Sequence, residues 1–107
     1  MKVSGIRTDE PGGKKEDLGK TRWDLLPTGT VRSIAQVLTF GAGKYGDNNW
    51  QGLPNARSRY YAAAQRHLDA WWADGEVTDP ESGLPHLAHA ACCLLFLIWL
   101  DNKPTQD

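Results

Sequence analysis

Pro85 to Asp101 reads PHLAHAACCLLFLIWLD, and this stretch decides the fold class. Its apolar residues do not alternate as a half-buried strand requires. They run almost unbroken over a length that suits a helix. His86, His89, Cys93 and Phe96 share one stripe, and Leu87, Ala91, Leu94 and Ile98 share another. A helix apolar on two faces sits at the centre of a bundle or is covered by a partner chain. Pro85 suits its first turn, and Ser82 is a candidate cap.

Immediately upstream, residues 75–84 read GEVTDPESGL and carry three carboxylates, Glu76, Asp79 and Glu81. They feed two histidines, His86 and His89, spaced so that both imidazoles project from one helix face. Acids on a loop beside histidines at a helix start form a site for a cation or a phosphate, since loops often carry function. The alternative is a solvated acidic loop capping a core helix.

Further out, Ser58 to Trp72 reads as a second helix, capped by Ser58 or Asn55, with an Ala-rich start of high helix propensity. Tyr60, Ala63, Ala64, His67, Leu68 and Trp71 form its apolar stripe, with His67 at the edge. Arg59 and Arg66 lie two turns apart on one face. They form an anion-binding face or a salt-bridged surface. Thr30 to Ala42 reads as a first helix, with Val31, Ile34, Ala35 and Leu38 on its stripe, Thr28 or Thr30 as cap, and Gly41 and Gly43 marking its end. Residues 43–55 then read as a loop, rich in Gly and Asn, that carries Lys44, Tyr45, Asn49 and Trp50. A cation for phosphate and a ring for a base suit a nucleotide; equally, the two aromatic rings anchor the loop to the core. Trp23, Leu25 and Leu26 suggest an anchoring segment folded over the domain. No alternating pattern is long enough for a strand. The expected fold is all-α, a small bundle of three main helices. Residues 1–19 are expected as a flexible arm, 20–102 as one domain and 103–107 as a polar tail.

The chain has 107 residues, enough for one domain, and five Trp. So many indoles favour a core shared across a homo-oligomer. A net charge of −1 leaves no basic footprint for duplex DNA or for a membrane surface. Cys92 and Cys93 are adjacent on a helix and point about 100° apart, so they read as small core hydrophobes in a reducing compartment. No signal peptide is visible, and the apolar run 90–100 falls short of the about 20 residues that span a bilayer. A soluble, cytoplasmic protein is expected.

The chemistry narrows from there. The His86/His89 pair suits zinc if Glu81 or His67 supplies a third ligand. However, no HExxH occurs, and neither Cys has ligand spacing. Carboxylates with few nitrogens suit Mg²⁺ or Mn²⁺, which bridge protein acids and substrate phosphates. Lys44, Arg59 and Arg66 would neutralise the remaining phosphate charge. Ser82 sits on no nucleophile elbow, and Gly41-Ala42-Gly43-Lys44 lacks the spacing of a phosphate loop.

LGKTRWDLLP (18–27), LTFGAGKYGDNNW (38–50) and RHLDAWWADGEVTDPESGLPHLAHAACCLLFL (66–97) together resemble the dATP/dGTP diphosphohydrolase family of phages and bacteria. That family is related in kind to the all-α, MazG-type nucleotide pyrophosphohydrolases. The resemblance spans about residues 18–100. It implies an all-α fold, oligomerisation, and divalent-metal hydrolysis of a purine deoxynucleoside triphosphate to monophosphate and pyrophosphate. MazG-type enzymes carry ExxE on one helix and ExxD on the next. Here His67 and Asp69 stand roughly where the first motif belongs, and Glu76 to Asp79 has the ExxD spacing on a loop. The site expected from residues and resemblance together has Asp79, Glu81, His67 and His89 as metal ligands, with Glu81, Asp79, Glu76 and His86 catalytic. Glu76 is a ligand or orients the attacking water. Lys44, Arg59 and Arg66 hold phosphates, and Tyr45, Asn49 and Trp50 hold base or sugar. A non-catalytic nucleotide-binding or host-interaction module is the alternative, as is a zinc-stabilised structural domain.

Overall fold

A computed structural model describes residues 18–103 and, ahead of them, two strands of two residues each. Three helices dominate: α1 (Thr30–Tyr45), α2 (Ala56–Trp72) and α3 (His86–Asn102). Single 3₁₀ turns lie at Trp23–Leu25 and Asn49–Gly52. The expected all-α bundle is therefore the observed one. The arm expected over residues 1–19 lies largely outside the described residues. What is described of it is a strand pair, β1 (Ile6–Arg7) antiparallel to β2 (Lys15–Glu16). The tail beyond residue 103 lies outside them too.

α3 lies between the other two helices. His86 and His89 meet His67 of α2, and Phe96 meets Tyr60, so α2 and α3 run antiparallel. Cys92 donates its thiol hydrogen to the Ile34 carbonyl of α1 at 3.4 Å. Val37, Ala88 and Cys92 form the tightest cluster, with Ile34, Leu84 and Phe96 packed on it. Ala64, Ala88 and Ala90 are buried at the helix contacts, where small side chains let backbones approach. Burial pushes the Cys92 thiol up to about 12, the state of a core residue rather than a nucleophile.

Among the described residues, burial on α3 is concentrated in its first half, where Leu87 alone of the large apolar side chains is exposed. Beyond Cys93, Leu94 is 52% and Ile98 56% exposed. The α2 stripe likewise ends with Leu68 and Trp71 exposed. Trp23, Leu25 and Leu26 do not fold over the domain as expected: Trp23 is 75% exposed, and the turn closes locally through an Arg22–Asp24 ion pair at 2.7 Å.

Helix ends differ from expectation for identifiable reasons. α1 runs through Gly41 and Gly43 and ends at Tyr45. Interior glycine costs a helix only about 1 kcal/mol, less than tertiary packing returns through Val37 and Phe40. The true stop is Gly46, whose φ of 95° few side chains tolerate and whose N–H reaches the Ala42 carbonyl at 2.8 Å. α2 starts at Ala56, after Asn55 in the left-handed region, so Ser58 lies inside the helix and donates its hydroxyl back to the Asn55 carbonyl. α3 starts at His86 with Pro85 as its flanking residue, which leaves Ser82 free for another role.

Candidate active site

Three imidazoles gather where the start of α3 crosses α2. His67 Nδ1 lies 2.8 Å from His86 Nδ1. On its other side the His67 ring stacks on His89, with centroids 4.6 Å apart and planes 10° from parallel. Phe40 of α1 presents an edge contact to His89. His86 is buried, and both its nitrogens are used: Nε2 lies 2.6 Å from Glu76 Oε1. A carboxylate only accepts, so Nε2 carries the hydrogen. In the neutral pair, His86 Nδ1 is then the lone pair, and His67 donates to it.

The acidic loop is a tight structure. Asp79 N–H donates to the Leu84 carbonyl at 2.8 Å, Gly83 N–H to the Asp79 carbonyl at 2.7 Å, and His86 N–H to the Val77 carbonyl at 2.9 Å. Gly83 sits at φ 72°, a conformation that lets the loop turn back without a side-chain clash. Its side chains are tied down as well. Asp79 Oδ2 accepts the Ser82 N–H at 3.0 Å and lies 3.9 Å from His89 Nε2. The Ser82 hydroxyl accepts the Leu84 N–H and meets His89 Nε2 at 2.7 Å.

These surroundings set the charge states. Burial lowers the pKa of His67, helped by the neighbouring His89 and His86. Burial also lowers that of His89, against the pull of Asp79. For Asp79, burial opposes ionisation. The Ser82 N–H and hydroxyl, together with His89 and His67, outweigh it and hold the carboxyl below its ordinary value. Neutral imidazoles beside an ionised carboxylate are the protonation states a metal ion needs.

His67, Asp79 and His86 each offer one ligand atom, all within 4.8 Å of one another. The donor set therefore fits a divalent metal ion. The Glu76 bond to the far nitrogen of His86 is the kind of outer contact that orients a metal-binding imidazole.

A cleft of about 950 Å³ opens beside this group. Of the residues expected from sequence, Lys44, Tyr45, Asn49, Trp50, Arg59, Arg66, His67, Asp79, Glu81 and His89 all line it. Glu76 and His86 do not; they stand behind His67. Glu81, expected as a metal ligand, forms an exposed ion pair with Lys44, whose ammonium donates to the Glu81 carboxylate and to the Tyr45 hydroxyl, and these bonds raise the Lys44 pKa. Trp50 stacks on Phe96 at 4.4 Å and meets the edge of Trp99 at 5.0 Å, so its ring belongs to the core packing of the cleft wall. Tyr45 is 62% exposed, with the Lys44 ammonium over its ring at 5.1 Å from the centroid. Arg59 donates to the Pro54 carbonyl at 3.2 Å. Ser82 is the residue whose role the sequence reading missed. The signal was the Asp-x-x-Ser spacing, in which an aspartate accepts a downstream N–H and closes a turn.

No described helix is long and apolar enough to cross a membrane. Residues 10–107 match the family model described as dATP/dGTP diphosphohydrolase, N-terminal. The chain is also similar to a protein of Salmonella phage PMBT28 named dATP/dGTP diphosphohydrolase, with 41% identity over 96 residues. That alignment covers 89% of this chain and 32% of the relative, so the chain spans about a third of the relative's length. No solved structure matches it.

Proposed function

Because the chain belongs to the dATP/dGTP diphosphohydrolase N-terminal family, we propose that it hydrolyses dATP or dGTP to the deoxynucleoside monophosphate and pyrophosphate, using a divalent metal ion held by His67, His86 and Asp79. The observation that carries the reading is one cleft with two chemistries. Lys44, Arg59 and Arg66 line it together with Asp79, His67 and His89, and His86 meets His67 from behind. A triphosphate needs both cations for its charge and a metal-binding group beside the bond to be cut.

The metal, when bound, supplies charge screening and an acidified water. The chain's own residues do the rest. Asp79 is kept ionised by Ser82, and its carboxylate is held facing the cleft. Arg66 and Lys44 hold the phosphates, with Lys44 exchanging Glu81 for the substrate. Glu81 thus acts on Lys44 rather than on the metal. His89, fixed by Ser82 and stacked on His67, holds that ring in place and offers a hydrogen bond toward a phosphate oxygen. Tyr45 offers a ring face for the base, while Trp50 stabilises the wall. Of Mg²⁺ and Mn²⁺, the ion is Mn²⁺, because imidazole supplies two of the three donors and Mg²⁺ prefers oxygen throughout. The protein acts in the cytoplasm, as a homo-oligomer in which a second copy covers Leu94, Leu95 and Ile98 of α3.

A nucleotide panel assayed with Mg²⁺ and Mn²⁺, products resolved as mono- or diphosphate, tests this. Release of pyrophosphate and monophosphate from dATP or dGTP is expected, faster with Mn²⁺. Binding of either nucleotide without turnover at any divalent metal contradicts it. The two-imidazole donor set also favours a second reading, a zinc-stabilised structural domain. Stoichiometric zinc that resists chelation, in a protein inert toward dNTPs, supports that one.

A further inference from the structure

We propose that Glu76 is a positioning residue that fixes the tautomer and orientation of His86, so that Nδ1 carries no hydrogen and faces His67 as an acceptor. The inference rests on the metal group proposed above and assigns Glu76 a place outside it. Glu76 does not line the cleft, and its carboxylate meets the side of His86 opposite to His67. It is therefore not placed to ligate the ion or to orient a water in the cleft.

Both ends of the Glu76–His86 bond are held by backbone. The Glu76 N–H donates to the Ala70 carbonyl at 3.0 Å, which ties the residue to the end of α2. The next residue, Val77, accepts the His86 N–H at 2.9 Å, which ties the loop to the first residue of α3. The carboxylate thus reaches His86 from a fixed strap, at 2.6 Å. The His86 side chain is 5% exposed and that of Glu76 45%, so the carboxylate is the protein group that covers Nε2. Without it, His86 is free to carry its hydrogen on Nδ1 and donate to His67, which blocks the ligand position. Outer partners of this kind change metal affinity by about 10–100-fold when removed.

The test pairs two readouts on wild type, Glu76→Ala and Glu76→Gln, each first shown to fold by circular dichroism. The first readout is the His86 tautomer in metal-free protein, from ¹⁵N–¹H correlation through the imidazole ring. The second is Mn²⁺ affinity by calorimetry. Wild type is expected to show the Nε2–H form alone. Glu76→Ala is expected to show a mixture of tautomers and Mn²⁺ binding weakened about 10–100-fold. Glu76→Gln keeps an acceptor oxygen and should fall between the two. If Glu76→Ala fails to fold, Glu76→Gln carries the test, with a detectable Nδ1–H fraction as the expected result. A single Nε2–H tautomer and unchanged Mn²⁺ affinity in the variants overturn the proposal. Wild type that takes up no Mn²⁺ sinks the metal reading itself, and the tautomer result then still decides whether Glu76 holds His86.

Discussion

Two loops line the same cleft and do opposite things with their side chains. The loop from Gly75 to Pro85 closes on itself through backbone hydrogen bonds and turns Asp79 and Ser82 toward His89. The loop from Gly46 to Asn55 spends its largest side chain, Trp50, against Phe96 and Trp99, and its Trp50 carbonyl accepts the Tyr60 hydroxyl at 3.2 Å. The first is a polar scaffold tied to His89. The second is an aromatic wall that gives the cleft its shape. Both looked like ligand loops in sequence, because a loop with rings and amides has the composition of either. What separates them is whether the side chains find partners in the core.

The sharpest way to break the contrast is to change one residue in each loop. Asp79→Asn keeps size and removes the ligand charge. Its turnover with dATP or dGTP should drop at least ~100-fold with little change in melting temperature. A variant retaining wild-type turnover would move the acidic loop out of the chemistry. Trp50→Ala should do the reverse. Losing a half-buried indole costs about 2–3 kcal/mol, below the range for a fully buried one. A melting temperature lower by about 10 °C or more is expected, with Mn²⁺ affinity unchanged. If instead nucleotide binding disappears at full stability, the ring is a base platform after all.

Glu81→Gln probes the edge of the acidic loop. Glu81 is exposed and paired with Lys44, apart from the candidate metal-binding group of His67, Asp79 and His86. Its loss should change KM for the nucleotide by less than about fivefold and leave kcat near wild type. A tenfold loss of kcat would return Glu81 to the metal. The smallest expected effect is on pH dependence. His67 and His89 have folded pKa values below the ordinary 6.5, because burial disfavours the charged rings. The unfolded chain therefore binds protons more readily, and stability falls as pH drops from about 6.5 toward those depressed values. Asp79 adds a second loss, below its ordinary 3.8, in the same direction. Melts of metal-free protein should show a lower midpoint at pH 5.5 than at pH 7.5. A flat profile would mean the imidazoles are not buried as described.

Much of this was legible in sequence, for physical reasons. The 3.6-residue stripes of α1, α2 and α3 placed the helices, since helix periodicity survives without knowledge of neighbours. Their ends were less legible. Gly41 and Gly43 carry a weak local penalty that packing overrides, whereas Gly46 stops α1 through a backbone conformation that composition does not announce. Most of the polar residues named from sequence line one cleft, Glu76 and His86 excepted. Their roles were not legible. The His67–His86 contact joins residues 19 apart and exists only because α2 and α3 cross there. The division of labour between Glu76, behind His86, and Glu81, on Lys44, is likewise a property of the loop's hairpin-like path rather than of its composition.

The central claim is that α2, α3 and the acidic loop build one metal-binding group from His67, His86 and Asp79. Its most direct test is electron paramagnetic resonance of Mn²⁺ added to metal-free protein, comparing wild type with the His67→Ala, His86→Ala double variant. The account predicts that wild type depletes the free-ion signal saturably and that the folded double variant does not. Equal depletion by both proteins would contradict it.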